Sequence, residues 1–133
     1  MGPSMKTPTA VLLITFCASI LAQTNGQAVS HPLEVAKVFA LGGVGFAGTT
    51  SQEELAFKSI LVLPSDTAKQ RFERLYSSGN PQAMSYALAG MRKLDRKRYA
   101  ELIVSARTSD ATVHTMSGCM LHYDKRKASQ DCR

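Results

Sequence analysis

The chain has 133 residues, and its 16 lysines and arginines against 10 aspartates and glutamates give a formal net charge of +6. This length holds one small domain and excludes a dinucleotide-binding fold with a separate substrate domain. A basic chain of this size favours nucleic acid as the partner in the cytosol. After export it favours lipid headgroups, a cell-wall polymer or an acidic protein.

Residues 1–28 have the layout of a secretory signal peptide. Lys6 supplies a positive start, Ala10–Ala22 is an uninterrupted apolar run, and small residues precede cleavage sites after Gly26 and Ala28. The apolar run is shorter than the about 20 residues that an ordinary membrane span needs. We therefore expect an extracytoplasmic protein, periplasmic or secreted, with no transmembrane span in the mature chain. Export disfavours nucleic acid as a partner, and an uncleaved N-terminal anchor is the alternative.

Export also bears on the three cysteines. Cys17 lies in the apolar run and leaves with the signal, and Phe16 stands before it where a lipoprotein site has a small residue. Cys119 and Cys132 remain, an even count that favours a disulfide across the basic tail in an oxidising compartment. Spacing does not show that the two side chains face each other, so unpaired thiols are the alternative.

Residues 29–50 form an N-terminal segment with a glycine-rich loop. Leu33–Leu41 fits a strand or a short helix, and the near-3.6 spacing of its apolar residues favours the helix. Gly43–Gly48 then matches G-x-G-x-x-G, the pattern of a pyrophosphate-binding turn. Against that reading, a helix start at Asn80 stands where the second parallel strand should come, and Thr49 replaces the lysine of a P-loop. We predict a mobile or tightly turned connector and no cofactor.

Residues 51–122 read as a helical domain, because a start signal opens each predicted helix. Ser51 and Glu54 are spaced as a capping box, and Pro64 ends that first helix. Asn80 is a capping side chain followed by a proline, the clearest start signal in the chain. The predicted helix starts are Ser51, Ser65, Asn80, Asp95 and Asp110.

Apolar residues recur on one face of each predicted helix. The fifth helix would carry Val113, Met116 and Met120, and residues 123–133 would follow it as a basic polar tail. The predicted core consists of Phe72, Leu75, Leu88, Met91, Leu102 and Ile103.

Two of the predicted helix pairs match each other at an offset of about 30 residues. Phe72 and Leu75 align with Tyr99 and Leu102, and residues 83–87 align with residues 113–117. The segment from Asn80 to Met91, NPQAMSYALAGM, resembles the second helix of a HEAT-like repeat. The resemblance covers about Ser51 to Met120 and implies an all-α solenoid, a scaffold for macromolecular contacts without catalytic activity. An irregular helical bundle is the alternative.

Five cations surround the turn between the third and fourth predicted helices: Arg92, Lys93, Arg96, Lys97 and Arg98. A helix C-terminus favours the first two, but the last three follow an N-cap, where acidic residues are preferred. We predict an anion-binding or partner-binding site here, to which Lys125, Arg126 and Lys127 could add. A solvated charged surface is the alternative.

Outside the basic turn, few residues could support catalysis or metal binding. A zinc site could be composed of His114, Cys119, His122 and Cys132. A zinc site with a strong sequence signal has two closely spaced pairs of ligands, and these residues supply one such pair, so we expect no metal. No catalytic triad can be assembled, so we predict no catalytic residue. The sequence thus predicts an exported, non-enzymatic helical domain that binds another protein or an anionic envelope polymer through a basic corner. The alternative is a small secreted enzyme using His114 or His122 near the glycine-rich loop.

Overall fold

The structure, a computed structural model, describes residues 31–125, with side chains placed through Tyr123. The predicted signal peptide, Cys132 and residues 126–133 of the tail lie outside the described residues. The fold is mostly helical with a small two-stranded sheet. A helical turn at residues 31–34 comes first. It is followed by α1 (Gln52–Leu61), α2 (Ser65–Tyr76), α3 (Pro81–Leu94), α4 (Arg96–Arg107), β1 (Thr112–Ser117) and β2 (Met120–Lys125).

The helices begin where the sequence predicted, and local capping explains three of the four starts. Ser51 Oγ accepts from the Glu54 amide at 3.1 Å, Asn80 Oδ1 from the Gln82 amide at 2.9 Å, and Asp95 Oδ1 from the Arg98 amide at 3.0 Å. These bonds satisfy amides that have no partner inside the first turn. The second start is different, because Pro64 is the N-cap of α2 and no side chain caps it.

The predicted fifth helix is wrong, since the chain beyond Arg107 forms an antiparallel hairpin. Met116 pairs with Leu121 and Ser117 with Met120, which leaves Gly118 and Cys119 as a two-residue turn. Gly118 has φ +57°, which a glycine adopts without the strain that a side chain would bring. The β-branched Thr112, Val113 and Thr115 suit the strand. The helical part therefore ends at Arg107 rather than residue 122, and the second copy of the proposed repeat aligned a helix with a strand.

The helix predicted over Leu33–Leu41 is also wrong beyond its first residues. Phe39 is extended and pairs in parallel with Thr115. Its amide donates to the His114 carbonyl at 2.7 Å, and its carbonyl accepts from the Met116 amide at 3.0 Å. The Phe39 ring packs edge-on against Tyr86 at a centroid distance of 4.7 Å. The backbone bonds of Phe39 to β1 and the packing of its ring against Tyr86 thus replace the hydrogen bonds that a helix would form in this segment.

The core lies between the helices, with the extended segment at residues 36–40 against it. Five of the six predicted core residues are buried, and Ile103 is partly buried against the others. The prediction missed Tyr86, which is fully buried and whose hydroxyl bonds both backbone groups of Ala40. Gly90 lets the Phe72 ring approach, because a Cβ there would lie 2.5 Å from that ring.

Candidate functional site: the basic corner

The basic residues meet at a corner made by a single residue. α3 ends at Leu94 and α4 begins at Arg96, so Asp95 is both the C-cap of one helix and the N-cap of the next. Its amide donates to the Met91 carbonyl at 2.7 Å, and its carboxylate accepts from the Arg98 amide. The hydrogen bond from the Arg98 amide is the main cause that lowers the pKa of Asp95, and Lys69 at 3.5 Å lowers it further.

The Arg98 guanidinium forms two ion pairs within the protein. Its Nε donates to Glu73 Oε1 of α2 at 2.7 Å, and one terminal nitrogen donates to Glu101 Oε2 at 2.8 Å. These bonds, the Glu101 bond first, raise the pKa of Arg98 above its usual value. Arg98 therefore links α2 to α4, and two carboxylates of the protein itself offset its charge. Its part in binding a partner stays a prediction.

The other four cations form the site that we name the basic corner: Arg92, Lys93, Arg96 and Lys97. All four are exposed. Within the described residues, no carboxylate lies within ion-pair distance of any of them, since the ion pairs formed there involve other cations. The basic corner thus presents four positive charges that the described part of the protein leaves without a counter-charge.

The contribution of the tail stays a prediction. Lys125 is the last residue of β2 and pairs with Thr112, which follows α4. Arg126 and Lys127 lie outside the described residues.

The two histidines do not share a site. His114 pairs with Tyr123 and His122 with Thr115, and because neighbouring residues of a strand alternate between faces, the histidines lie on opposite faces of the hairpin. The His114 ring packs edge-on against Tyr123 at 4.8 Å. In the described part of the chain no three potential metal ligands come together. Cys119 is exposed at the turn, and its predicted pairing with Cys132 is not tested.

The glycine-rich loop is a tight turn whose amides are largely used internally. Val44 and Thr49 exchange two backbone bonds of 2.9 Å, and the Gly48 amide donates to the Gly45 carbonyl at 3.2 Å. A Cβ on Gly43 would lie 2.6 Å from the Gly48 carbonyl oxygen, so this close approach requires glycine.

The buried Glu54 carboxylate lies in the first turn of α1, beside the glycine-rich loop. Its carboxylate accepts from the Gly42 amide at 3.0 Å and pairs with Lys58 at 2.7 Å. The Lys58 bond, together with the Gly42 amide, lowers the pKa of Glu54 against the opposing effect of its burial. A fixed negative charge at this helix N-terminus opposes an anionic cofactor.

A cleft of about 280 Å³ opens beside the loop. Neither His114 nor His122 belongs to its lining, so the cleft does not supply the histidine site of the enzyme alternative. It is lined by Val35, Lys37, Val38, Ala40, Val44, Ser51, Glu53 and Met116.

The sequence reasoning missed the partners of Arg98. The spacing of Arg98 and Glu101, three residues apart on one helix, could have indicated their pairing. Glu73 is 25 positions away on another helix, and only the tertiary arrangement, in which α2 and α4 both pack against α3, shows that contact.

Comparisons with protein-family models, with curated proteins and with solved structures give no significant match. No helix among the described residues is long and apolar enough to cross a membrane. A function for this chain therefore has to be argued from its own surface.

Proposed function

We propose that this protein is a small exported, non-enzymatic helical domain that binds another protein or an anionic envelope polymer through the basic corner. The observation that carries the proposal is the set of four exposed cations without a carboxylate partner in the described part of the chain. Cations held this close repel one another, and an anionic partner would supply the missing counter-charge.

The scaffold explains how the charges stay together. Asp95 fixes the angle between α3 and α4 through its two cap bonds, and Arg98 ties the start of α4 to Glu73. The backbone on both sides of the corner is therefore fixed, although the lysine and arginine side chains remain free to adapt. This arrangement suits a partner that is recognised by charge more than by shape.

Export and a HEAT-like scaffold complete the proposal. Export follows from the signal-like residues 1–28, and the scaffold follows from the resemblance of Asn80–Met91 to a repeat helix. The pair of antiparallel helices α2 and α3 fits one such repeat, and Arg107 ends the helical part.

Retention on an immobilised polyanion tests the proposal. Arg96→Gln with Lys97→Gln should elute from a polyglutamate column at clearly lower salt than the original chain, because exposed charges are screened within about 8 Å at physiological ionic strength. Replacing all four residues of the basic corner should abolish retention at moderate salt.

A matched control separates a local site from net charge. Lys37→Gln with Arg74→Gln removes the same charge from two exposed residues outside the basic corner and should elute close to the original chain. Equal shifts for both double variants would show that overall charge alone drives retention, and the basic corner would then be ordinary solvated surface.

A further inference from the structure

Two tight turns lie side by side and carry exposed apolar side chains. We call residues 44–49 and 117–120 the turn pair. The Gly45 amide donates to the Gly118 carbonyl at 2.9 Å, and Val44 forms a parallel bridge with Gly118. Phe46, in the first turn, is 102% exposed, and Met120, beside the second, is 64% exposed.

The chain around both turns is free of charge. Residues 38–52 and 111–123 contain no Asp, Glu, Lys or Arg, although 20% of the whole chain is charged. Phe46 and Met120 therefore have no charged neighbour in sequence that must be desolvated with them, although Lys37 and Glu53 line the cleft beside Val44.

Four of the six backbone amides at residues 44–49 donate to carbonyls of the described chain, and those of Phe46 and Ala47 at the tip do not. The bonds between Val44 and Thr49 and between Gly48 and Gly45 satisfy the narrow part of the first turn internally. In the second turn, Ser117 and Met120 are paired in the ladder. A segment can enter the apolar edge of a bilayer only if most of its backbone groups find partners of their own.

We propose that the turn pair inserts Phe46 and Met120 into the interface of a lipid bilayer. The Phe46 side chain protrudes fully from the first turn. A fluid bilayer accommodates such a side chain without the preformed pocket that a protein partner would have to supply. The net charge of +6 gives only a weak attraction to anionic headgroups at the turn pair, because the basic corner lies toward the other end of α1. The mode is that of a peripheral protein whose apolar groups enter the headgroup region without spanning.

This surface is separate from the basic corner. Glu54, in the first turn of α1, holds Gly42 next to the turn pair. The ten residues of α1 then rise about 15 Å toward the start of α2. Lys69, early in α2, contacts Asp95 at the basic corner. The two surfaces thus lie toward opposite ends of α1, so the bilayer would be bound at one end and the anionic partner at the other.

The sequence offers a direct reporter, because it contains no tryptophan. Phe46→Trp in the full chain places one fluorophore at the proposed insertion point. Val62→Trp is the matched control, since Val62 is 84% exposed at the end of α1 away from the turn pair. With vesicles of phosphatidylcholine and phosphatidylglycerol, we expect a blue shift for Phe46→Trp and quenching by brominated phosphatidylcholine. The Val62→Trp emission should not change.

Loss of the apolar tip should weaken binding to the vesicles. Phe46→Ser should lower the partition coefficient by about tenfold or more, as expected for keeping one phenylalanine side chain out of an apolar medium. Phe46→Ser should leave retention on polyglutamate unchanged, so the outcome for the turn pair is distinguishable from that for the basic corner.

Three results would overturn the proposal. The first is vesicle binding with an unshifted Phe46→Trp emission, which would assign the binding to another segment such as Ala10–Ala22. The second is an equal shift in the Val62→Trp control. The third is a blue shift that grows with protein concentration in the absence of vesicles, which would assign the turn pair to contacts between copies of the chain.

Discussion

Tyr86 is the buried polar group that joins α3 to the extended segment, and the N-cap Asn80 bonds the carbonyls of Glu34 and Ala36 just before it. Its side chain is fully buried, its hydroxyl donates to the Ala40 carbonyl at 2.9 Å, and it accepts from the Ala40 amide at 3.0 Å. Ala40 is itself buried. Replacing Tyr86 with Phe keeps the ring and its packing against Phe39, but it leaves two buried backbone groups without this partner.

The expected cost of Tyr86→Phe is about 2 to 4 kcal/mol in the free energy of unfolding, since each unsatisfied buried group costs about 1 to 3 kcal/mol and partial access of water offsets some of it. Urea denaturation followed by far-ultraviolet circular dichroism measures this loss as a lower midpoint at an unchanged slope. For a domain of this size, it corresponds to a fall in melting temperature of at least about 8 °C.

Two other tyrosines calibrate the measurement. Tyr76 is half-buried and donates one bond to the Leu102 carbonyl at 3.0 Å, so Tyr76→Phe should cost about 0.5 to 1.5 kcal/mol. Tyr123 is exposed, and Tyr123→Phe should change stability by less than about 0.5 kcal/mol. If Tyr86→Phe lowers the free energy of unfolding no more than Tyr123→Phe does, the two hydrogen bonds to Ala40 do not stabilise the extended segment, which would refute this explanation.

Three further predictions concern packing and pH. Gly90→Ala should lower the free energy of unfolding by about 1 to 3 kcal/mol, because the added methyl group collides with the Phe72 ring. Adding Phe72→Leu should recover part of that loss in the same urea assay. Additive losses for the two changes would contradict this explanation. The pKa of Glu54 is lowered, chiefly by Lys58, so its contribution to stability is present above its ordinary pKa of 4.5 and is lost as the pH falls below that value. Glu54→Gln should therefore flatten the acid side of the curve of melting temperature against pH, and an unchanged curve would count against it. Burial raises the pKa of Tyr86, so the unfolded chain ionises first and stability should fall as the pH rises above 10.0; Tyr86→Phe should remove part of that alkaline loss, which a melting series at alkaline pH detects.

Prediction from sequence worked best where one short stretch of chain contains the whole cause. The caps at Ser51, Asn80 and Asp95 bond amides two or three residues away, so their residue types alone locate the helix starts. The apolar stripes likewise placed most of the core, because a helix of known phase has one face to bury.

Prediction was wrong where a local pattern fits two structures. Val113, Met116 and Met120 fit a helical spacing, but the β-branched neighbours and Gly118 favour a hairpin, and the pairing of Phe39 with β1 then stabilises it. The Ser-Gly step between two runs of strand-forming residues is the signal for the hairpin, and helical spacing of the apolar residues does not exclude it.

The basic corner shows the same division. The order of residues places five cations at one turn, because Asp95 ends one helix and starts the next within a single residue. Packing of the helices is what brings Arg98 into an ion pair with Glu73, 25 positions away, and the Tyr86 hydroxyl to the Ala40 carbonyl, 46 positions away. Contacts at that separation depend on how whole helices pack, and no periodicity within one segment records them. Helix starts and charge density are therefore properties of the sequence, whereas which cations form ion pairs within the protein is a property of the fold.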